Sequence, residues 1–390
     1  MIRWKKGSVV RIIRERDGIQ EAEVLTDDGH RQSAIHYTDT LPKLKEGDRV
    51  KLNTTAVELG LGSGGYHFVI DVTGGADDPV EAADDRSVPD PAYGRLGKGH
   101  LMKLRYTGLQ RAVLSVEEPE SPHHALFEEP RSLDGMPVLI GELHSMLPIA
   151  LSWIRSEDGP DCRALRVSYV MSDGGALPLG YSRHVSRLNG LGWLAGTVTY
   201  GHAYGGDLEA VNKYTALLAA RHVQQADIAI AVMGPGIAGT GTPYGHTATE
   251  MAELIHAVCA LGGEPVVIPR ISFADSRARH RGISHHLLET LGKLTLARAT
   301  VPLPELDEAE KSELLGLQLE RSGCASRHEI VRVSGIRLEE IGNRLSLYPE
   351  EIRTMGRRLR DDPPFFAAVC AAARVAARLV RPRRSTAAEE

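Results

Sequence analysis

The chain has little cysteine, little lysine and no long uncharged apolar run. Its 390 residues hold 4 Cys, none of them in a CxxC pair, which removes both a zinc knuckle and a thioredoxin-type redox motif. Four scattered thiols, Cys162, Cys259, Cys324 and Cys370, suit a reducing cytoplasm. Residues 1–10 are too polar for a signal peptide. The longest apolar stretch, 367–380, is alanine-rich and carries Arg374 and Arg378, so it reads as a packed helix and not a membrane span. Neither a G-x-S-x-G elbow nor HExxH occurs, and no internal repeat is visible. Nucleophilic acyl chemistry is therefore disfavoured.

What is present is globular. Apolar residues make up 42% and charged residues 25%, enough to bury a core over two or three domains. The formal charge of −5 gives no general pull toward nucleic acid or an anionic membrane. Only ten of the 46 basic residues are Lys, so the chain relies on Arg. The basic patches at 353–360 and 378–384 lack interleaved aromatics and read as solvated helix faces.

Residues 1–73 read as five short strands, at 8–15, 20–27, 30–37, 48–58 and 66–72. Asp17-Gly18 and Asp28-Gly29 stand at hairpin spacing, and the whole suggests a small closed β-barrel. Residues 74–92, acidic and proline-containing, read as a linker. Residues 93–383 alternate strands with helices and predict a Rossmann-like three-layer α/β domain on a parallel sheet, closed by C-terminal helices. The strand candidates are 111–117, 137–142, 164–171, 194–200, 226–233, 264–270 and 328–333. The helix candidates are 147–156, 181–190, 208–224, 247–261, 284–297, 305–322 and 363–380. Asp207 is placed as N-cap of the 208–224 helix, and Thr247 with Glu250 as a capping box.

In an open parallel sheet, ligands bind beyond the carboxyl ends of the strands. Those ends are rich here, and the opposite ends are plain. After 137–142 come Glu142 and His144, two apart and facing one side in extended geometry, where the carboxylate would orient the imidazole or the two would make separate solvent contacts. After 164–171 comes Ser172-Asp173-Gly174-Gly175, and after 194–200 a loop with His202 and Asp207. After 226–233 comes Gly234-Pro235-Gly236-Ile237-Ala238-Gly239-Thr240-Gly241-Thr242. It matches G-x-G-x-x-G and reads as an anion or phosphate cradle, a dinucleotide loop or a tight structural turn. Thr240 to Gly245 separate Gly239 from the next helix, and no Walker lysine follows. After 264–270 comes a segment with Arg270, Asp275, Arg277, Arg279, His280, Arg281, His285 and His286. Guanidinium forks suit phosphate or carboxylate, Arg279 and Arg281 share parity, and the paired histidines open a helix where the dipole favours neutral imidazole. For these groups an acid/base or anion role, with His285, His286 or His144 moving protons, stands beside the reading of a solvated N-cap loop. Metal binding is the weaker alternative, with no ligand set assigned and no cofactor named.

Four segments carry a resemblance. They are Leu52-Asn53-Thr54-Thr55-Ala56-Val57-Glu58-Leu59-Gly60-Leu61-Gly62 with Gly64-Gly65-Tyr66-His67-Phe68, then the 234–242 loop, then Arg270-Ile271-Ser272-Phe273-Ala274-Asp275, and finally Arg279-His280-Arg281-Gly282-Ile283-Ser284-His285-His286. In these the chain resembles a bacterial family known as domain of unknown function 3866, over about residues 1–365. The resemblance implies a bacterial cytoplasmic protein and brings no activity. The expectation from the residues is an enzyme, a transferase or hydrolase, acting on a small phosphorylated or nucleotide-like anion. The alternative is a non-catalytic ligand-binding regulator. In either case the barrel is available as a partner or homo-oligomer interface, with no nucleic acid and no membrane expected.

Overall fold

A computed structural model describes residues 2–60, 64–73, 96–105, 109–156, 165–172, 174–175 and 177–387. The expected linker, Cys162, Asp173 and part of the 60–65 connection lie outside the described residues. The chain divides into two compact units, 1–113 and 114–390.

The first unit holds a closed barrel of β1 (Trp4–Arg16), β2 (Ile19–Thr26), β3 (Arg31–Tyr37), β4 (Arg49–Asn53) and β5 (His67–Val72), in the order β1-β2-β3-β5-β4. β4 pairs back onto β1, which removes the free edges of so small a sheet. Asp17 and Gly18 turn the first hairpin with φ of 43° and 73°, a left-handed pair that glycine accepts at no cost. Val9, Ala22, Val24, Ala34, Val50, Leu52 and Val69 fill the interior. The expected strand 48–58 ends at Asn53; Thr55–Glu58 is a helical turn whose Glu58 carboxylate accepts the Thr54 hydroxyl at 2.6 Å. The unit also holds an antiparallel ribbon of β6 (Leu96–Lys103) and β7 (Arg111–Val113). The expected strand 111–117 is therefore only three residues long, and beyond it Ser115 makes a single parallel bridge to Glu209.

The second unit is an eight-stranded, all-parallel sheet with helices on both faces, the Rossmann-like α/β architecture expected. Its strands are β8 (Pro137–Gly141), β9 (Val167–Met171), β10 (Gly196–Tyr200), β11 (Leu208–Ala210), β12 (Ile228–Val232), β13 (Glu264–Val267), β16 (Thr300–Pro304) and β17 (Glu329–Val333). They lie in the order β11-β10-β9-β12-β8-β13-β16-β17. Strands β8, β9, β10 and β12 are buried along their whole length, as a sheet covered on both faces requires. From β8 the chain enters helix Met146–Ser156 on one face, with Leu139 and Tyr169. From β12 it reaches helix Glu250–Ala260 on the other face, with Val138 and Ile140. Adjacent strands thus send their connections to opposite faces, which opens a crevice at their carboxyl ends. After β13, the two-residue strands β14 (Ile271–Ser272) and β15 (Gly282–Ile283) pair and tie off residues 273–281 as a flap.

Several local expectations change. Residues 208–224 begin as strand β11, because Leu208 and Ala210 pair with β10; the helix starts at Lys213 under an Asn212–Thr215 capping box. Asp207 instead accepts the Thr197 backbone N–H and hydroxyl, both at 2.9 Å. The Thr247–Glu250 box does not form: the Thr247 side chain serves the Ala238 backbone, and Glu250 accepts the Tyr200 hydroxyl at 2.7 Å. The 284–297 helix is an α-turn, His285–Glu289, continued by a π-turn, Thr290–Leu294. Residues 353–360 are not helical; Arg353 and Arg358 pair with Glu351.

Strand β16 was missed because Pro302 and Pro304 argue against an interior strand. Both share parity, so the donors they lack face one neighbour. Pairing to β13 is confined to Val266–Thr300, while β17 pairs along all of β16. Helix Pro363–Ala387 packs its Phe365, Phe366 and alanine face into the sheet. Its segment Pro363–Val380 is long and apolar enough to cross a membrane, and 72% of it is buried inside the protein.

Candidate functional site

Strands β12, β8 and β13 are neighbours, so their carboxyl ends bring together the 234–245 loop, Glu142 and Arg270. Glu142 is 1% exposed. Its Oε1 accepts Arg270 Nη1 at 3.3 Å, and its Oε2 accepts the Nδ1–H of His286 at 3.1 Å. Burial opposes ionisation of this carboxyl, but the His286 and Arg270 contacts outweigh it and hold its pKa below the ordinary value. A second Arg270 nitrogen stands 3.7 Å from Asp275. Asp275 accepts Arg277 Nε at 2.9 Å, Nη2 at 2.8 Å and backbone N–H at 3.0 Å, which holds it well below the usual carboxylate range against its burial. Arg357 bridges Asp275 and Asp362, and Asp362 accepts the Ser272 hydroxyl at the base of the flap.

On this platform four imidazoles converge. The ring centroids of His285 and His286 are 4.4 Å apart, and His280 lies 5.0 Å from each. His246 stacks on His286 at 4.1 Å with the planes 16° apart. His285 and His286 are the first two residues of their helix, and both rings join one cluster. His280 Nδ1 is bonded to Ser284 Oγ at 2.9 Å. Both ring nitrogens of His285 are buried and have no hydrogen-bond partner among the described residues. Burial, followed by the charges of Arg270 and Arg277, lowers His280 to about 3. Burial, followed by His286 and His246, lowers His285 to about 4. His280 and His285 are therefore neutral imidazoles at pH 7.

The glycine-rich loop borders this cluster. Residues 239–246 form a small hairpin, with Gly239 bridged to His246 and Thr240 donating its N–H to the Gly245 carbonyl at 2.8 Å. The Thr240 and Thr242 hydroxyls bond each other and the Gly245 backbone. Gly234 and Gly236 lie at the start of the loop, and Gly236 has φ of 112°. A Cβ on Gly239 would come 3.0 Å from His286 Nε2, so only glycine leaves that nitrogen uncovered. A Cβ on Gly241 would stand 3.8 Å from the Arg279 guanidinium. Arg279 and Arg281 are exposed on the flap. Their shared parity does not hold, because Ala278–His280 is a 3-10 turn.

His144 does not join this group, and Glu142 does not orient it. Its Nδ1 donates to the Met233 carbonyl at 3.2 Å, and its Nε2 bonds Ser182 Oγ, the N-cap of helix Arg183–Gly190. His246, Ser284, Arg357 and Asp362 complete the platform and were not anticipated. His246 sits only four residues after the glycine run, which was a usable signal; Arg357 and Asp362 are remote in sequence and carried none.

The family model for proteins of unknown function DUF3866 matches residues 33–373. The chain belongs to this family. No curated protein matches it.

Proposed function

We propose that this DUF3866 protein is an enzyme, a hydrolase or transferase, acting on a small anionic substrate at the carboxyl edge of β12, β8 and β13. The histidine cluster is its reactive centre, and the flap arginines with the 234–245 loop receive the anion. One observation carries this reading: His285 keeps two buried nitrogens without partners beside a Glu142–His286 pair. A structural core satisfies such groups; a site leaves them for a ligand. Arg279 and Arg281 supply exposed positive charge at the rim, suited to phosphate or carboxylate. The intraloop bonds of Thr240 and Thr242 leave backbone N–H groups, and not these hydroxyls, as the loop's means of meeting an anion.

A thermal-shift panel of nucleotides, sugar phosphates and acyl-CoAs tests the reading, since specific binding raises the melting temperature by mass action. The expected result is a stabilising phosphorylated ligand that is turned over, with stabilisation lost in Arg279→Ala. Binding without turnover, unchanged in His285→Ala, would instead make the protein a sensor. Stabilisation unaffected by Arg279→Ala and His285→Ala together would move the site elsewhere.

A further inference from the structure

We infer that His280, His285 and His286 bind a divalent transition metal of the zinc type, whose open side faces the anion received at the flap. This deepens the function proposed above and rests on that reading only for the anion.

Each of the three histidines offers a ring nitrogen within 4.8 Å of the other two, a spacing that small side-chain rotations bring to one ion. The hydrogen bonding fixes which nitrogens are free. Glu142 accepts from His286 Nδ1, which leaves Nε2 as the nitrogen open to a metal. That is the carboxylate–histidine arrangement that orients a ligating imidazole and raises its basicity. Ser284 engages Nδ1 of His280 and leaves its Nε2 available. His285 has neither nitrogen engaged. An all-imidazole set suits zinc, copper, nickel, cobalt or ferrous iron and not magnesium or calcium, which take oxygen.

The surroundings leave space and charge for a further ligand. Gly239 lacks the Cβ that would cover His286 Nε2. The charges beneath the cluster already cancel in pairs: Glu142 with Arg270, Asp275 with Arg277, and Asp362 with Arg357. A dication therefore adds uncompensated positive charge, and an anionic ligand is its natural counterpart. A metal with three protein ligands and an open position acts as a Lewis acid and ionises bound water near neutral pH.

The test uses full-length protein without a polyhistidine tag, stripped with a chelator and titrated with zinc against a competing dye. Metal content is then read by mass spectrometry. One zinc per chain is expected, weakened at least 100-fold in His285→Ala or His280→Ala and about 10–100-fold in Glu142→Gln. His144→Gln should bind as the parent does. X-ray absorption on zinc-loaded parent protein needs no variant to fold, and should show three imidazole nitrogens at about 2.0–2.1 Å. Absence of stoichiometric zinc, a shell without imidazole, or full binding by a His280→Ala, His285→Ala double variant would overturn the inference. Zinc bound with no anion recognised would keep it and remove the proposed function. Anion recognition by stripped protein that takes up no zinc would do the reverse.

Discussion

Glu142 and His144 leave the same strand two residues apart and end in opposite circumstances. Around His144 the polar groups close on themselves: the Met233 carbonyl, the Ser182 hydroxyl and Tyr169 account for both ring nitrogens. Beyond it, His184 bonds the Tyr348 hydroxyl at 2.8 Å. Around Glu142 both carboxylate oxygens are engaged, yet His285 in the neighbouring cluster keeps both nitrogens free. A buried polar group that has found its partners stabilises; one that has not costs free energy unless something else binds it. The first network reads as architecture and the second as a receptacle, and the difference can be tested by removing members of each.

The largest stability effect belongs to Glu142. Its removal leaves Arg270, 3% exposed, without its closest countercharge and frees His286. Glu142→Ala should cost about 3–5 kcal/mol, as for other broken buried pairs. Urea unfolding measures this, and a loss under about 1 kcal/mol would mean that Asp275 alone suffices for Arg270. His144→Ala comes next, at about 1–3 kcal/mol, because it strands the Ser182 hydroxyl and the Met233 carbonyl. It should leave zinc and anion binding intact. Impaired binding in that variant would erase the distinction between the two networks.

Acid sharpens the same contrast. Burial, then the neighbouring His184, lowers His144 to about 3. The unfolded chain takes up a proton below about pH 6.5, which the folded chain refuses until about pH 3. Stability contributed by the neutral ring is therefore complete above pH 7 and falls as pH drops through that window. One such group gives a slope of up to about 1.4 kcal/mol per pH unit. His36 and His328 are lowered by burial too, so the parent slope exceeds one proton. His144→Gln should flatten it by up to one proton between pH 4.5 and 6.5, read from unfolding curves at several pH values. An unchanged slope would show that His144 is protonated in the fold.

The sheet edge was legible because its signals are local. Each rich loop followed an apolar run, and β8, β12 and β13 carried Glu142, the 234–242 loop and Arg270 to one place by the rules of parallel sheets. The barrel was legible from alternating runs and Asp-Gly turns. Pairings between distant segments were not: Glu142 with His286 spans 144 residues, and Ser272 with Asp362 spans 90. Local propensity also misled where tertiary pairing overrode it. Residues 208–210 add to the sheet edge before their helix begins, and the prolines of β16 are tolerated because one neighbour asks for few donors.

The smallest stability effect should come from His285, and it separates the two networks most sharply. Removing an imidazole from a packed cluster loses ring contacts with His280, His286 and His246. It also removes two buried nitrogens that no described residue satisfies, and relief of an unpaired polar group is worth about 1–3 kcal/mol. The two terms oppose each other, so metal-free His285→Ala should unfold within about 0.5 kcal/mol of the parent, as a substitution away from satisfied networks does. Zinc should reveal what that small number hides. The parent gains stability with zinc concentration by mass action, and the variant gains little. Should His285→Ala lose as much stability as His144→Ala without metal, the His285 nitrogens are partnered in solution and the cluster is architecture like its neighbour.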